Sequence, residues 1–167
     1  VAGEAAWRTW VETVGRRSPE LIRSQVAASG LRGRGGAAGL RGRGGAAGVA
    51  RAFPWRPSGR RRAALRTRLI ANGDEGDPGS YADRLLMEVD PARVLEGLAL
   101  ACFACGARRG LVLVRSEYPR APAALRQAVE EARADGHLGR RVHGARWIWR
   151  WRWWRAPART WRGRRRR

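Results

Sequence analysis

Three clusters in this 167-residue chain have the residue types and spacing to do chemistry. The first is Asn72-Gly73-Asp74-Glu75-Gly76-Asp77-Pro78-Gly79, with three acids in four positions directly after an apolar segment. Carboxylates at the C-terminal end of a strand can accept hydrogen bonds from sugar or ribityl hydroxyls, and an amide can meet the edge of a heteroaromatic ring. Its bland counterpart is a solvated or calcium-like acidic turn, although an EF-hand loop would need a Glu further on. The second cluster is LRGRGGAAG at Leu31–Gly39, repeated without change at Leu40–Gly48. A glycine-rich loop after a helix lets backbone N–H groups approach a phosphate, and its Arg can pair with the same anion. Nine residues is too short for a solenoid unit, so the repeat reads as a local tandem duplication. The third is Cys102-Phe103-Ala104-Cys105, a C-x-x-C placed mid-helix among Leu98, Ala99, Leu100 and Ala101. Without a second cysteine pair it reads as two small buried hydrophobes. His137 and His143 are too few and too isolated in sequence to suggest a metal site.

These clusters need elements to hold them. Ser18-Pro19-Glu20 is a helix start, with an N-cap, a proline at the first helical position and an acid in the first turn. That helix is expected to run to about Ser29, with Leu21, Ile22 and Val26 inward and Gly30 ending it. Arg68–Asn72 reads as a short buried strand. Asp90-Pro91 opens a second helix with Val94, Leu95, Leu98 and Cys102 on one face, closing at Gly106. Leu111–Val114 is a second strand, and a third helix runs from about Arg120 to Asp135, with Leu125, Val129 and Ala132 inward and Gly136 as its cap. Strand, helix, strand, helix at this spacing is a βαβ arrangement, so the expected fold is α/β: a Rossmann-like parallel sheet with flanking helices, incomplete, and followed by an irregular Arg/Trp-rich tail.

The charge of the chain is unevenly spread. The net +21 is carried entirely by Arg, since there is no Lys. Residues 49–68 hold seven Arg and residues 140–167 hold twelve, with no acid in either stretch, and seven of the nine Trp lie there too. Residues 69–139, with 8 Arg against 11 acids, have the balance of an ordinary enzyme. A basic chain normally suggests nucleic acid or an anionic membrane as partner, but here that inference applies to two segments alone. No run of 18 apolar residues and no apolar leader is visible, and two cysteines make no disulfide framework, so an interior, cytoplasmic setting is expected.

Four stretches together resemble the flavin-binding subunit of the NADH:quinone oxidoreductase (complex I) family, which includes the diaphorase subunit of bidirectional hydrogenases and the beta subunit of NAD-dependent formate dehydrogenases. They are SGLRGRGGA (Ser29–Ala37), LIANGDEGDPGSYADRLLMEVDP (Leu69–Pro91), VLEGLALACFACGA (Val94–Ala107) and VRSEYPRA (Val114–Ala121), and the resemblance covers about three fifths of the chain. DEGDPG with RSEYPRA looks closer to the hydrogenase and formate dehydrogenase branch. The resemblance implies an FMN site that exchanges hydride with NAD(H) and passes electrons singly to iron–sulfur clusters. It implies that Gly42, Arg43, Gly44 and Gly45 form the FMN-phosphate loop, with Gly33 to Gly36 of the first copy an equal claimant. By the same resemblance Asn72, Asp74 and Glu75 hold the flavin and ribityl chain, and Asp77 lies beside the nicotinamide nucleotide. A thioredoxin-like [2Fe–2S] subunit within a larger dehydrogenase complex is the implied partner, peripheral to the inner membrane where the complex is membrane-bound. No catalytic acid–base residue and no metal ligand is implied within this chain.

The departures are equally specific. Phe53-Pro54 is followed by WRPSG where the family has T-G-x-K-W, and the family's G-A-G-x-Y-x-C-G-E-E-T motif and [4Fe–4S] cysteine cluster are not in the sequence. Tryptophan has one codon, so the Arg/Trp stretches can be reread from the third base. Arg146–Trp161 then permits an alternating strand leading into Gly-Ala-Gly-Ala-Tyr-Val, and the segment after Pro54 permits Val-Ala-Thr-Lys-Trp. Residues 55–68 and 140–167 are therefore expected to be out-of-frame readings. Residues 1–139 would form a partial FMN-binding domain, atypical at 49–68, and 140–167 a tail foreign to the family. Such a chain is expected to bind FMN weakly and to show no NADH–acceptor turnover. The competing reading is an Arg-rich protein whose alternating Arg and Trp form an amphipathic strand at a membrane surface or stack on single-stranded nucleic acid. Steep loss of binding with salt would mark the nucleic-acid case.

Overall fold

The structure, a computed structural model, describes residues 6–29, 68–75, 79–144 and 150–156, the last by its backbone. In chain order the elements are α1 (Arg8–Thr13), α2 (Pro19–Ala28), β1 (Arg68–Gly73), α3 (Ala82–Val89), α4 (Pro91–Cys105), β2 (Arg109–Arg115), α5 (Ala121–Ala134) and β3 (Arg150–Ala156). The three strands form one parallel sheet in the order β1-β2-β3. Parallel neighbours cannot be joined by a tight turn, so α3 and α4 carry the chain from β1 to β2 and α5 carries it from β2 to β3.

Period-two burial sets the two faces of the sheet. Gly110, Val112 and Val114 of β2 are buried, whereas Leu111 and Leu113 are only half-buried. In β1, Leu69 and Ala71 pack against the core, while Ile70 on the other face is 59% exposed. The core lies between the helices and the first of these faces. It joins Val112 and Val114 to Leu95, Leu98 and Cys102 of α4 and to Leu125, Val129 and Ala132 of α5. Full burial of a Leu or Val side chain contributes about 1.5–3 kcal/mol, so these residues supply much of what opposes the chain's conformational entropy.

The helix boundaries follow local chemistry. Ser18 Oγ accepts from the Leu21 N–H at 3.2 Å and Asp90 Oδ1 from the Arg93 N–H at 3.3 Å, each followed by proline. Both α4 and α5 end in Schellman motifs. Gly106 (φ 69°) and Gly136 (φ 75°) take the left-handed conformation, and the N–H groups of Ala107 and His137 donate back to the Cys102 and Ala132 carbonyls at 2.8 Å.

The short N-terminal helix is pinned from outside. The buried Glu96 carboxylate accepts from the Trp10 N–H at 2.8 Å, and the Trp10 indole N–H donates to the His137 carbonyl at 3.0 Å. Trp10 is fully buried and meets Phe103 edge-on, at 6.1 Å between ring centroids.

Two expectations need correction. The tail beyond Gly139 is not irregular throughout: Arg150–Ala156 forms β3, in register with β2 from Arg109↔Arg150 to Arg115↔Ala156. Alternating Arg and Trp has the period of two that a strand requires, and that pattern outweighs its unusual composition. Leu21 faces outward (45% exposed), because α2 has no buried residue and touches the core chiefly through Ile22. The acidic loop leads into α3, a helix not read from the sequence, whose Leu85 and Val89 stay exposed.

Two consequences of this packing are open to measurement. Burial raises the Glu96 carboxyl above its ordinary 4.5, against the opposing pull of the Trp10 N–H. The folded chain thus holds that proton more tightly than the unfolded one, and this group's share of stability falls as pH rises from 4.5 through the raised value. Glu96→Gln keeps an acceptor for Trp10 and is expected to remove this pH dependence, seen as the difference between wild-type and variant urea midpoints. Glu96→Ala is expected to cost about 1–2 kcal/mol at low pH, where the carboxyl is protonated, and less as pH rises. Cys102 and Cys105 are buried and in no disulfide, and burial pushes the Cys105 thiol upward. Both are expected to be inert to a thiol reagent at about pH 7 until denaturant is added, and rapid native-state labelling or oxidation to a disulfide would contradict this.

Candidate functional site

Parallel pairing brings the C-terminal ends of β1 and β2 to one edge, with Asn72 opposite Leu113 and Gly73 opposite Val114. The segments leaving that edge are the acidic loop after β1 and Ser116-Glu117-Tyr118 after β2. This is the edge where open α/β sheets place ligand contacts. Gly73 sits at a close approach: a Cβ there would lie 2.8 Å from Met87 Cε and 3.0 Å from the Leu113 carbonyl oxygen. The backbone of the loop thus starts flush against α3 and β2.

The loop's polar groups are engaged unequally. Asn72 Oδ1 accepts from the Asp74 N–H at 3.0 Å in an Asx turn, and Asn72 is an exposed residue. The Asp74 carboxylate is 40% exposed and 3.6 Å from Arg115 Nε. Glu75 is different. Its Oε1 accepts from Ser80 Oγ at 2.6 Å and from the Asp83 N–H at 3.3 Å, and its Oε2 accepts from the Arg84 N–H and the Tyr118 hydroxyl, each at 3.3 Å. Asp83 and Arg84 carry two of the N–H groups that the start of α3 leaves without a helical partner, so Glu75 caps that helix from outside it.

Arg115, the last residue of β2, reaches across to the loop. Its Nη1 donates to the Glu75 carbonyl oxygen, and Glu117 holds the guanidinium by a fork, Nη2 to Oε1 at 3.2 Å and Nε to Oε2 at 3.4 Å. The Arg84 guanidinium lies 5.6 Å from the centre of the Tyr118 ring. Tyr118 itself is buried, at 7% exposed. The electrostatics match the contacts. The Ser80 hydroxyl, with the Asp83 and Arg84 N–H groups and the Tyr118 hydroxyl, holds Glu75 below the usual glutamate range. Burial and then the Glu75 charge raise Tyr118, and the same two causes raise Asp83.

Of the residues expected to form the site, the structure brings Asn72, Asp74 and Glu75 to the sheet edge. Asp77, the loop Gly42, Arg43, Gly44 and Gly45, and the alternative Gly33 to Gly36 lie outside the described residues. No role for Arg115, Tyr118 or Ser80 was legible from residue types alone. The available signal was an R-S-E-Y run directly after an apolar strand, at the edge where a parallel sheet gathers its loops.

The two histidines are not isolated in space. His137 Nδ1 and His143 Nε2 lie 2.9 Å apart, and the His137 ring stacks on Trp7 at 5.0 Å between centroids. An open cavity of about 340 Å³ adjoins His137, lined also by Trp7, Arg8, Val11 and Glu12. Among the described residues no three His, Cys, Asp or Glu converge as a metal site would require. No described helix is long and apolar enough to cross a membrane.

Comparison with known proteins gives the family and the fold. The Nuo51 FMN-binding domain family matches residues 36–148. The chain is 36% identical over 139 residues to a subunit of an NADH-quinone oxidoreductase of Rhizobium meliloti (strain 1021), covering 83% of this chain and 30% of that protein. It is 41% identical over 128 residues to the NADP-reducing hydrogenase subunit HndC of Solidesulfovibrio fructosivorans, covering 77% of this chain and 24% of that one. The fold resembles a chain of an NAD+-reducing [NiFe]-hydrogenase solved in the H2-reduced state, with a TM-score of 0.61 and 27% identity over 87% of this chain and 22% of that chain. The chain thus spans less than a third of the length of these relatives. Sequence match and fold together make this chain a member of the Nuo51 FMN-binding domain family.

Proposed function

We propose that the chain is the N-terminal part of a flavoprotein subunit that exchanges hydride between NAD(H) and FMN and passes electrons on to iron–sulfur clusters. The observation that carries this reading is the acidic loop fixed at the C-terminal edge of a parallel sheet in a chain matched over residues 36–148 by an FMN-binding family. The donor set suits a flavin. The amide N–H of the exposed Asn72 can donate to a ring carbonyl, and the half-exposed Asp74 carboxylate can accept from ribityl hydroxyls. When bound, FMN supplies a two-electron hydride acceptor that also exchanges single electrons, chemistry no side chain here provides.

In this reading the chain's own residues bind and orient. Gly42, Arg43, Gly44 and Gly45 cradle the flavin phosphate, with Gly33 to Gly36 as the alternative loop. Asn72 and Asp74, on the loop that continues into Glu75, hold the flavin and ribityl chain, and Asp77 borders the nicotinamide nucleotide. The sheet is the Rossmann-like half of a larger domain, and the partner is a thioredoxin-like [2Fe–2S] subunit of a cytoplasmic or membrane-peripheral complex. Support for an assembly comes from relatives named as subunits of NADH-quinone oxidoreductases and hydrogenases.

FMN and riboflavin differ only by the phosphate, which makes the loop testable by flavin-fluorescence titration of the purified chain. Wild type is expected to bind FMN with a Kd on the order of micromolar or weaker, and at least about tenfold more tightly than riboflavin. One of Arg43→Ala and Arg34→Ala is expected to abolish that preference and the other to leave it, which identifies the working copy of the loop. Equal affinity for the two flavins in wild type would contradict a phosphate loop, and no saturable binding of either would contradict the flavin reading.

A further inference from the structure

We propose that Glu75 serves the flavin segment as a latch and not as a flavin contact, with Arg115 and Tyr118 as the positioning residues that close it. This rests on the FMN reading above for its functional consequence, while the latch itself is a matter of the chain's own hydrogen bonds. An ionised carboxylate has about four lone-pair directions. At Glu75 four donors already occupy them: Ser80 Oγ, the Asp83 and Arg84 N–H groups, and the Tyr118 hydroxyl. No acceptor capacity remains for a ribityl hydroxyl unless one of these bonds is given up. The Glu75 carbonyl oxygen is taken as well, by Arg115 Nη1, and Arg115 is itself gripped by Glu117.

The consequence is a division of labour within three neighbouring residues. Asn72 and Asp74 present exposed polar groups at the sheet edge, whereas Glu75 turns back into the protein. The backbone between them is fixed at both ends, at Gly73 by close packing on Met87 and at Glu75 by the latch. Arg115 also lies 3.6 Å from Asp74, so the exit of β2 sets the position of the carboxylate that faces the ligand. Contacts spanning 40 and 43 residues of sequence thereby tie the acidic loop to β2. A loop held in one conformation loses less entropy on binding than one that must be ordered by its ligand.

A double-mutant cycle on the full chain separates latch from contact, with FMN Kd as the readout in wild type, Glu75→Gln, Tyr118→Phe and the double variant. Each single variant is expected to weaken FMN about three- to tenfold, with the double variant no worse than the poorer single one, because both open the same latch. Additive losses, or a neutral Tyr118→Phe beside a damaging Glu75→Gln, would overturn the proposal and make the carboxylate a direct contact. A second measurement needs neither variant nor flavin. In the wild-type chain the Asp83 and Arg84 amide proton shifts are expected to titrate together with a midpoint below 4.5, following Glu75. Amide shifts that do not report Glu75 overturn the latch, whether or not FMN binds. Failure of FMN to bind, with those shifts titrating as expected, would instead overturn the functional reading and leave the latch standing.

Discussion

The parallel pairing of β2 with a strand on each side is the constraint on which the rest of this structure depends. Parallel strands force long crossovers, and those crossovers are the helices that bury Val112 and Val114. The same pairing brings the C-terminal ends of all three strands to a single edge. The acidic loop and the groups that hold it then follow from what leaves that edge. From β1 comes the loop, and from β2 come the Arg, Glu and Tyr that fix it. The core needs only apolar residues at period two and period 3.6. The edge needs particular polar groups whose partners are supplied from another strand.

That difference explains what could be read from residue types and spacing. Ser18-Pro19, Asp90-Pro91, Gly106 and Gly136 mark helix ends by mechanisms confined to a few neighbouring residues, and the helices begin and end there. The inward face of α5 was equally legible, because Leu125, Val129 and Ala132 recur at helical spacing and are buried. The capping of α3 was not legible. Its carboxylate comes from Glu75, outside the helix, and no local pattern marks a cap supplied from a preceding loop. Nor could spacing reveal that His137 meets His143, since a loop with Arg141 and His143 at positive φ folds one back on the other.

The C-terminal stretch shows how composition and pattern can point in different directions. An acid-free run of Arg and Trp is foreign to an enzyme core, and by composition it belongs with tails. Its alternation nevertheless matches a strand, and the backbone of Arg150–Ala156 joins the sheet as β3. The candidate site was legible in the same partial way. The residue types at Asn72, Asp74 and Glu75 announced a polar edge. The geometry distinguishes two that are exposed from one whose carboxylate is consumed within the protein.

A flavin seated on this sheet edge would protect the backbone beneath it, so amide hydrogen–deuterium exchange with and without FMN, read by mass spectrometry, is the most direct test. Slower exchange is expected on FMN addition in peptides covering residues 68–75 and 114–118, with the buried face of α5 unchanged. Saturable FMN binding that leaves both peptides unaltered, or slows exchange only beyond residue 140, would contradict a flavin site at this edge.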